Sequence, residues 1–264
     1  MSEEEQANSV DAHAHSGDAA ESVDQRADGA SIAASGTSAT AAGPTPTPEQ
    51  TTWGVGPWEG PWPEGAGTDP NSPFDVELLE NGDTRNVLDH YRYWRMDAIV
   101  ADLDSRRHKF HVAIENWQHD LNIGSIVRTA NAFLAAEVHI IGHRRWNRRG
   151  AMVTDRYQHV RHHNTVEEFV EWARTCGLGA GGGALPIIGI DNVEGCQKIE
   201  TFDMPESCVF LFGQEGPGLS EAALAASEVF LEISQFGSTR SINASAAAAI
   251  TMHCWVEQHV FGRR

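Results

Sequence analysis

Three short stretches carry the polar side chains of this sequence that are best placed to do chemistry. They are residues 122–130 (NIGSIVRTA), 213–220 (GQEGPGLS) and 233–243 (ISQFGSTRSIN). The first holds Asn122 and Arg128, the second holds one acid, Glu215, and the third ends with Ser241 and Asn243. Glycines in such turns let the backbone approach a ligand closely. A tight turn without a ligand would explain the second stretch alone equally well.

Each stretch follows a predicted strand and precedes a predicted helix. Residues 208–212 (CVFLF) have the apolar run of a buried strand, and Ser220 can cap the helix that follows them. Strands alternating with helices predict a parallel sheet, whose carboxyl edge is where ligands bind. The predicted strands cover 110–114, 138–141, 186–190, 207–212 and 229–233, and the predicted helices 124–133, 167–175 and 242–260.

A shared sheet edge would bring the three stretches together. An arginine buried there would pair with an acid, and Glu215 is the natural partner of Arg128. Asn122, Ser241 and Asn243 can hold loops through hydrogen bonds to the backbone. For any one of these residues a helix cap or a structural ion pair is the simpler explanation, but three matching stretches in order favour a site.

The spacing of the three stretches also resembles a known family. N-x-G-x-x-x-R-T-A, F-G-x-E-G-x-G-L-S and I-x-x-x-G-x-x-x-S-I-N-A-S-A-A resemble motifs one, two and three of the SpoU (TrmH-like) RNA 2′-O-ribose methyltransferases of the SPOUT superfamily. The resemblance covers residues 108–260. It implies an α/β fold with a parallel sheet, helices on both faces and a C-terminal deep trefoil knot. It also implies a homodimer and S-adenosylmethionine as the methyl donor.

The resemblance assigns roles to matching positions. It implies that Arg128 activates a ribose 2′-hydroxyl, while Asn122, Glu215, Ser241 and Asn243 position the hydroxyl, the loops and the cofactor. Methyl transfer needs an in-line approach and removal of the hydroxyl proton, but arginine stays protonated in proteins. Whether Arg128 is a general base or only orients the hydroxyl therefore stays open. The positions implied for the adenosyl group are Leu211, Gly213, Gly218, Ile233 and Ile242.

Charge is distributed unevenly along the chain. The formal net charge is −18, and residues 1–75 carry 13 acids and one base, whereas residues 76–264 carry 24 acids and 18 bases. An acidic protein can bind RNA only through a local basic patch. The best candidate is the loop HRRWNRRG, in which arginines can bind phosphates and Trp146 can stack on a base; a solvated loop is the alternative. Its arginines are Arg144, Arg145, Arg148 and Arg149.

Composition divides the chain into three regions. Residues 1–75 are acidic and rich in Ala, Ser, Thr, Pro and Gly, a composition that predicts a disordered tail. The tail contains three tryptophans, at positions 53, 58 and 62, which either dock on a surface or are incidental to a flexible linker. Residues 76–107 form a predicted helical extension, and 108–264 a predicted methyltransferase domain. Within the extension, apolar residues recur at helical spacing over 84–107, which predicts an amphipathic helix with one break near Arg95–Asp97. The five arginines of this helix are either a solvated face or an RNA contact. The four cysteines lack zinc spacing, so we expect no metal. No signal peptide or membrane-spanning run is visible, so we expect a cytoplasmic protein.

The choice of substrate rests on weaker features. The helical extension resembles that of tRNA-guanosine enzymes, so a guanosine in tRNA is the first substrate hypothesis and rRNA the second. Ser234-Gln235 replaces the Pro-Met of many relatives, and Gln214 replaces a small residue, so an RNA-binding protein without turnover is the alternative. A dinucleotide oxidoreductase is excluded because ENWQHDLNIG, not G-x-G-x-x-G, follows the first strand.

Overall fold

The fold is that of a computed structural model, which describes residues 54–118, 121–176 and 183–263. Most of the predicted tail, including Trp53, lies outside the described residues. Within the described residues, seven parallel strands form one sheet in the order β3-β2-β1-β6-β4-β7-β5. The strands are β1 Phe110–Asn116, β2 Val138–Gly142, β3 Val160–His163, β4 Ile187–Ile190, β5 Gln197–Lys198, β6 Cys208–Phe212 and β7 Val229–Glu232.

Helices cover both faces of the sheet. They are α1 Val76–Asn81, α2 Met96–Asp104, α3 Ile123–Ala132, α4 Val166–Cys176, α5 Glu221–Ala226 and α6 Ala244–His259. The described residues also contain three short 3₁₀ helices, at Asp89–Tyr91, Arg148–Ala151 and Thr154–Arg156. The predicted parallel α/β fold is confirmed, and Ser220 caps α5 through the backbone N–H of Ala223. The trefoil knot stays a prediction.

The central strand β6 shows how the core is divided between the two faces. Cys208, Phe210 and Phe212 pack in the cluster that contains α3 and α6, whereas Val209 and Leu211 pack in the cluster that contains α4 and α5. All five residues are buried. A strand covered on both faces needs an apolar residue at every position, which is why this run was recognisable in the sequence.

The prediction of disorder is wrong for residues 54–75. Trp58 and Phe74 pack with Leu79 and Tyr93, and the rings of Trp58 and Tyr93 meet edge to face at 5.3 Å. Val55 forms an antiparallel bridge with Asp83. A composition averaged over 75 residues hides this aromatic segment, which buries enough apolar surface to order itself against the extension.

The extension is also less helical than predicted, although its break near Arg95 is correct. Residues 84–95 hold one 3₁₀ turn, and α2 begins only at Met96. The fully buried Asp83 organises this segment: it accepts hydrogen bonds from the Arg85 side chain at 2.7 and 2.8 Å and from the Tyr93 backbone N–H at 3.0 Å. This buried ion pair replaces the helical hydrogen bonds that the apolar spacing suggested.

Candidate active site

A cleft of about 440 Å³ opens at the carboxyl ends of β4, β6 and β7. The cleft is lined by four of the five positions that the family resemblance implied for the cofactor: Gly213, Gly218, Ile233 and Ile242. Leu211 does not line the cleft, because it lies inside β6 with its side chain buried against the α4 face.

Glycine is required at two positions of the second motif. Gln214 and Gly218 exchange backbone hydrogen bonds of 3.0 and 3.1 Å, so the turn closes on itself. A Cβ on Gly213 would lie 2.1 Å from the carbonyl carbon of Gly218, and Gly218 itself has φ +76°. The closed turn forms one wall of the cleft, and no other residue type would allow it.

Three motif residues meet beside the cleft in a hydrogen-bonded triangle. Asn122 Nδ2 donates to Glu215 Oε2 at 3.1 Å, and Asn243 Nδ2 donates to Glu215 Oε1 at 3.2 Å. Asn243 Nδ2 also donates to Asn122 Oδ1 at 2.8 Å. Asn243 Oδ1 caps α6 by accepting from the backbone N–H of Ser245 at 2.9 Å. The structure thus joins all three sequence stretches through their polar side chains.

The predicted ion pair between Arg128 and Glu215 is wrong. Arg128 is exposed on α3, whose buried face is formed by residues such as Ile126 and Val127. Both carboxylate oxygens of Glu215 bind amides instead. Ser241 lines the cleft and is exposed. The Arg128 side chain is therefore presented to solvent on α3.

Comparison with known proteins agrees with this geometry. Residues 109–253, more than half of the 264-residue chain, match the model of the SpoU rRNA Methylase family. The chain belongs to the SpoU rRNA Methylase family.

Several relatives and solved structures are similar to this SpoU-family chain. An uncharacterized tRNA/rRNA methyltransferase of Mycobacterium ulcerans is 29% identical over an alignment of 174 residues. The match covers 61% of this chain and 51% of that protein. The chain thus spans about half the length of this curated relative. The yeast tRNA (guanosine(18)-2′-O)-methyltransferase is 32% identical over 75 residues, which are 28% of this chain and 5% of that protein.

Among solved structures, the SpoU methyltransferase AviRb from Streptomyces viridochromogenes, in complex with the cofactor AdoMet, is similar to the chain with a TM-score of 0.53. The two are 26% identical, and the match covers 61% of this chain and 62% of that one.

The SpoU-family site contains an acid that the motifs did not point to. Glu115, at the end of β1, is fully buried. It accepts hydrogen bonds from the Trp117 indole at 2.9 Å, from the Ser220 hydroxyl at 2.6 Å and from the Ser220 backbone N–H at 2.8 Å. Glu115 therefore anchors the end of the second motif to β1. In the sequence, Glu115 stands out only because it directly follows the apolar residues of a predicted strand.

Gln214, Ser234 and Gln235, the three residues that depart from the family pattern, each make a polar contact in the structure. Gln214 Oε1 accepts from the Trp117 backbone N–H at 3.1 Å. The Ser234 backbone N–H donates to Glu200 Oε1 at 2.9 Å, and Gln235 Nε2 donates to the Arg240 carbonyl at 3.3 Å. The third motif is thus held by side chains in place of the rigidity that a proline would give.

The four loop arginines predicted to bind RNA are all exposed. Arg148 stacks over Trp146, with 5.5 Å from its guanidinium carbon to the ring centre, and bonds Asp155 at 3.1 Å. A Cβ on Gly124 would lie 2.8 Å from Gly150 Cα, so the loop packs directly on the start of α3. In the extension every arginine is paired with an acid, whereas in the loop the ion pairs of the described residues include only Arg148. The extension arginines are Arg85, Arg92, Arg95, Arg106 and Arg107. An RNA-binding role for the loop stays a prediction.

A ladder of three histidines crosses the neighbouring strands β1, β2 and β3. His111 Nδ1 lies 3.2 Å from His139 Nε2, and His139 Nδ1 lies 3.0 Å from His163 Nε2. Burial, with the nearby Arg161 cation, lowers the pKa of His111 to about 4, and burial holds the pKa of His139 well below its usual value. Among the described residues, His111, Glu137 and His139 have the spacing of a metal site, but Arg161 donates two hydrogen bonds to Glu137.

None of the helices in the described parts of the chain is long and apolar enough to cross a membrane.

Proposed function

We propose that this chain is an S-adenosylmethionine-dependent RNA methyltransferase that methylates a ribose 2′-hydroxyl, with a guanosine in tRNA as the first substrate. The observation that carries the proposal is the triangle of Asn122, Glu215 and Asn243 at the mouth of the cleft. The three side chains come from distant parts of the chain, and their hydrogen bonds lie at an exposed site. Burial of a hydrophobic core therefore does not explain why they meet.

The residues of the cleft fit the proposed cofactor. The closed turn of Gly213 and Gly218 presents bare backbone to the cleft, which can hydrogen-bond an adenine or a ribose. Ile233 and Ile242 add apolar surface, and Asp191 adds a carboxylate that suits a cation. When bound, S-adenosylmethionine would supply an electrophilic methyl group on a sulfonium. The AdoMet complex of the similar AviRb structure supports the same assignment.

The chain's own residues would then position the hydroxyl. Glu215 fixes the two asparagine side chains, so the second N–H group of Asn122 Nδ2 is held in a set direction beside the cleft. Exposed Arg128 can bind an RNA phosphate or the 2′-hydroxyl itself. Since arginine keeps its proton, we assign it the role of orienting the hydroxyl. Ser241, which also lines the cleft, can accept a hydrogen bond from the hydroxyl or the cofactor.

The RNA would approach across the arginine loop. The loop contacts the N-terminus of α3, the same helix that carries Arg128, so phosphates bound by the loop would lie near the site. The yeast relative named for guanosine 2′-O-methylation of tRNA supports a tRNA substrate, although it matches only 75 residues. The family description favours rRNA as the second substrate.

We also propose that the chain acts as a homodimer. Large apolar side chains are exposed from the third motif to the end of α6: Phe236 is 97% exposed, and Ile242, Ile250, Val260 and Phe261 are also exposed. Soluble monomers rarely leave so much apolar surface uncovered in one region of the chain. Light scattering after gel filtration tests this directly, and a mass of 28.8 kDa would contradict it.

The function is tested by nucleoside mass spectrometry of tRNA and rRNA from cells with and without the gene. Loss of one 2′-O-methyl nucleoside from tRNA would support the first substrate hypothesis, and loss from rRNA the second. No change in either pool would favour an RNA-binding protein without turnover.

A further inference from the structure

The cleft contains three acids, and they are not equivalent. Asp191, Glu215 and Glu232 all line it, together with one base, Arg240. Asp191 follows β4 directly and belongs to none of the three sequence motifs. Its position opposite Gly218 makes it part of the cleft wall, because a Cβ on Gly218 would lie 2.8 Å from Asp191 Oδ2.

Two of the acids are engaged by other side chains. Glu215 accepts from Asn122 and Asn243, and Glu232 forms an ion pair of 3.3 Å with Lys198. The carboxylate of Glu232 is therefore neutralised by a cation, and both oxygens of Glu215 are committed to the triangle of side chains.

Asp191 is held differently. Its Oδ1 accepts from the Asn192 backbone N–H at 2.8 Å, and its Oδ2 accepts from the Leu219 backbone N–H at 3.2 Å. Within the described parts of the chain, no Lys, Arg or His side chain forms an ion pair with it. The two neutral N–H groups fix the carboxylate in the wall of the cleft without pairing it with a cation.

We infer that Asp191 is a specificity-determining residue that makes the cleft prefer the cationic methyl donor over the neutral thioether product. This inference rests on the proposed function. S-adenosylmethionine carries a net charge of about +1 near neutral pH, from a sulfonium, an ammonium and a carboxylate, and loss of the methyl group removes the sulfonium charge. A fixed carboxylate in a partly desolvated cleft attracts the donor more strongly than the product. Asp191 thus favours exchange of spent product for fresh donor.

The test is isothermal titration calorimetry of the full chain with S-adenosylmethionine and, separately, with S-adenosylhomocysteine. The measured quantity is the ratio of the product's Kd to the donor's Kd. For Asp191→Asn we expect this ratio to fall about 10-fold, mainly through weaker donor binding, because an amide keeps the shape and one acceptor but loses the charge. Glu194→Gln is the matched control: it removes an acid from the exposed loop after β4, outside the cleft lining, and should leave the ratio unchanged.

A second measurement separates charge from structure. Raising the salt concentration should lower the ratio for the wild-type chain and for Glu194→Gln, but not for Asp191→Asn. If Asp191→Asn weakens donor and product equally, its role is structural and the inference is wrong, while the proposed function stands. Should Asp191→Asn unfold, the salt dependence of the wild-type ratio decides, and a flat response overturns the inference. Failure of the wild-type chain to bind either compound would instead overturn the proposed function and the inference with it.

Discussion

Asn243 donates a hydrogen bond of 2.8 Å to Asn122, although 121 residues separate them in the chain. Asn122 precedes α3, and Asn243 caps α6. The bond therefore ties the starts of two helices that pack on the same face of the sheet. Glu215 from the motif-two turn completes the contact, so one carboxylate sets the relative position of all three motifs.

Replacing Asn243 should damage both the fold and the site. Asn243→Ala removes the α6 cap, which costs about 1 kcal/mol of unfolding free energy, and releases Asn122 and Glu215. We expect methyl transfer to fall about 100-fold because the reacting groups lose their set positions. Urea unfolding and a methyl-transfer assay measure the two effects. Asn81→Ala, whose side chain only bonds the Glu77 carbonyl at the surface, is the control; equal activity in both variants would contradict the role of the triangle.

The motif-two turn should not tolerate a side chain at Gly218. A Cβ there would press on Asp191 Oδ2 at 2.8 Å in a backbone with φ +76°, so Gly218→Val should abolish S-adenosylmethionine binding. Gly183→Val is a suitable control because a Cβ at Gly183 meets nothing within 4 Å. Calorimetry measures both, and retained affinity in Gly218→Val would count against the cofactor assignment.

The arginine loop should supply the salt-dependent part of RNA binding. Arg144→Ala combined with Arg149→Ala removes two exposed cations, so the slope of log K against log salt should become shallower by about one to two. Arg106→Ala in the extension removes an arginine already paired with Asp102 at 3.0 Å and should change the slope little. Filter binding of tRNA across salt concentrations measures this. Equal effects of the loop and extension variants would contradict the assignment.

Because of the histidine ladder, we expect the stability of the fold to decrease at acidic pH. His111 and His163 have folded-state pKa values of about 4, lowered mainly by burial, and the charges facing them are Arg161, Glu137 and Glu168. Unfolded histidine takes up a proton near pH 6.5, so the unfolded chain binds more protons between pH 6.5 and about 4. The stability from the ladder is therefore complete above pH 6.5 and is lost as pH falls, at up to about 1.4 kcal/mol per pH unit for each histidine.

Urea unfolding between pH 7.5 and 4.5 checks this prediction. His111→Gln keeps a hydrogen-bonding group without a titrating ring, so it should flatten the pH dependence. His253→Gln changes an exposed histidine on α6 and should not. An unchanged slope in His111→Gln would show that the ladder does not control acid stability.

The sequence predicted the structure best where a strand is buried on both faces of the sheet. In β6 both faces are buried, so every residue is apolar and the strand could be recognised directly. The short edge strand β3 (VRHH) and the two-residue strand β5 have no such pattern and were not predicted. Their pairing is set by neighbours that are distant in sequence.

The same distinction holds for the site. Asn122, Glu215 and Asn243 were found because their motifs have fixed spacing. The pairing of Arg128 with Glu215 was wrong, since opposite charge says nothing about which helix face an arginine occupies. Glu115 and Asp191 act through backbone N–H groups of the motif-two turn, and such contacts leave no pattern in the sequence.

The most direct test of the proposed function incubates the purified chain and S-adenosylmethionine with unmodified tRNA and, separately, with unmodified rRNA. Each RNA is then digested to nucleosides and analysed by mass spectrometry. We predict one 2′-O-methylguanosine per tRNA with the wild-type chain and a loss of about 100-fold or more with Arg128→Ala. Arg106→Ala, an exposed arginine outside the site, should retain wild-type activity. Absence of any 2′-O-methyl nucleoside from tRNA and from rRNA, with a chain that binds the cofactor, would contradict the account.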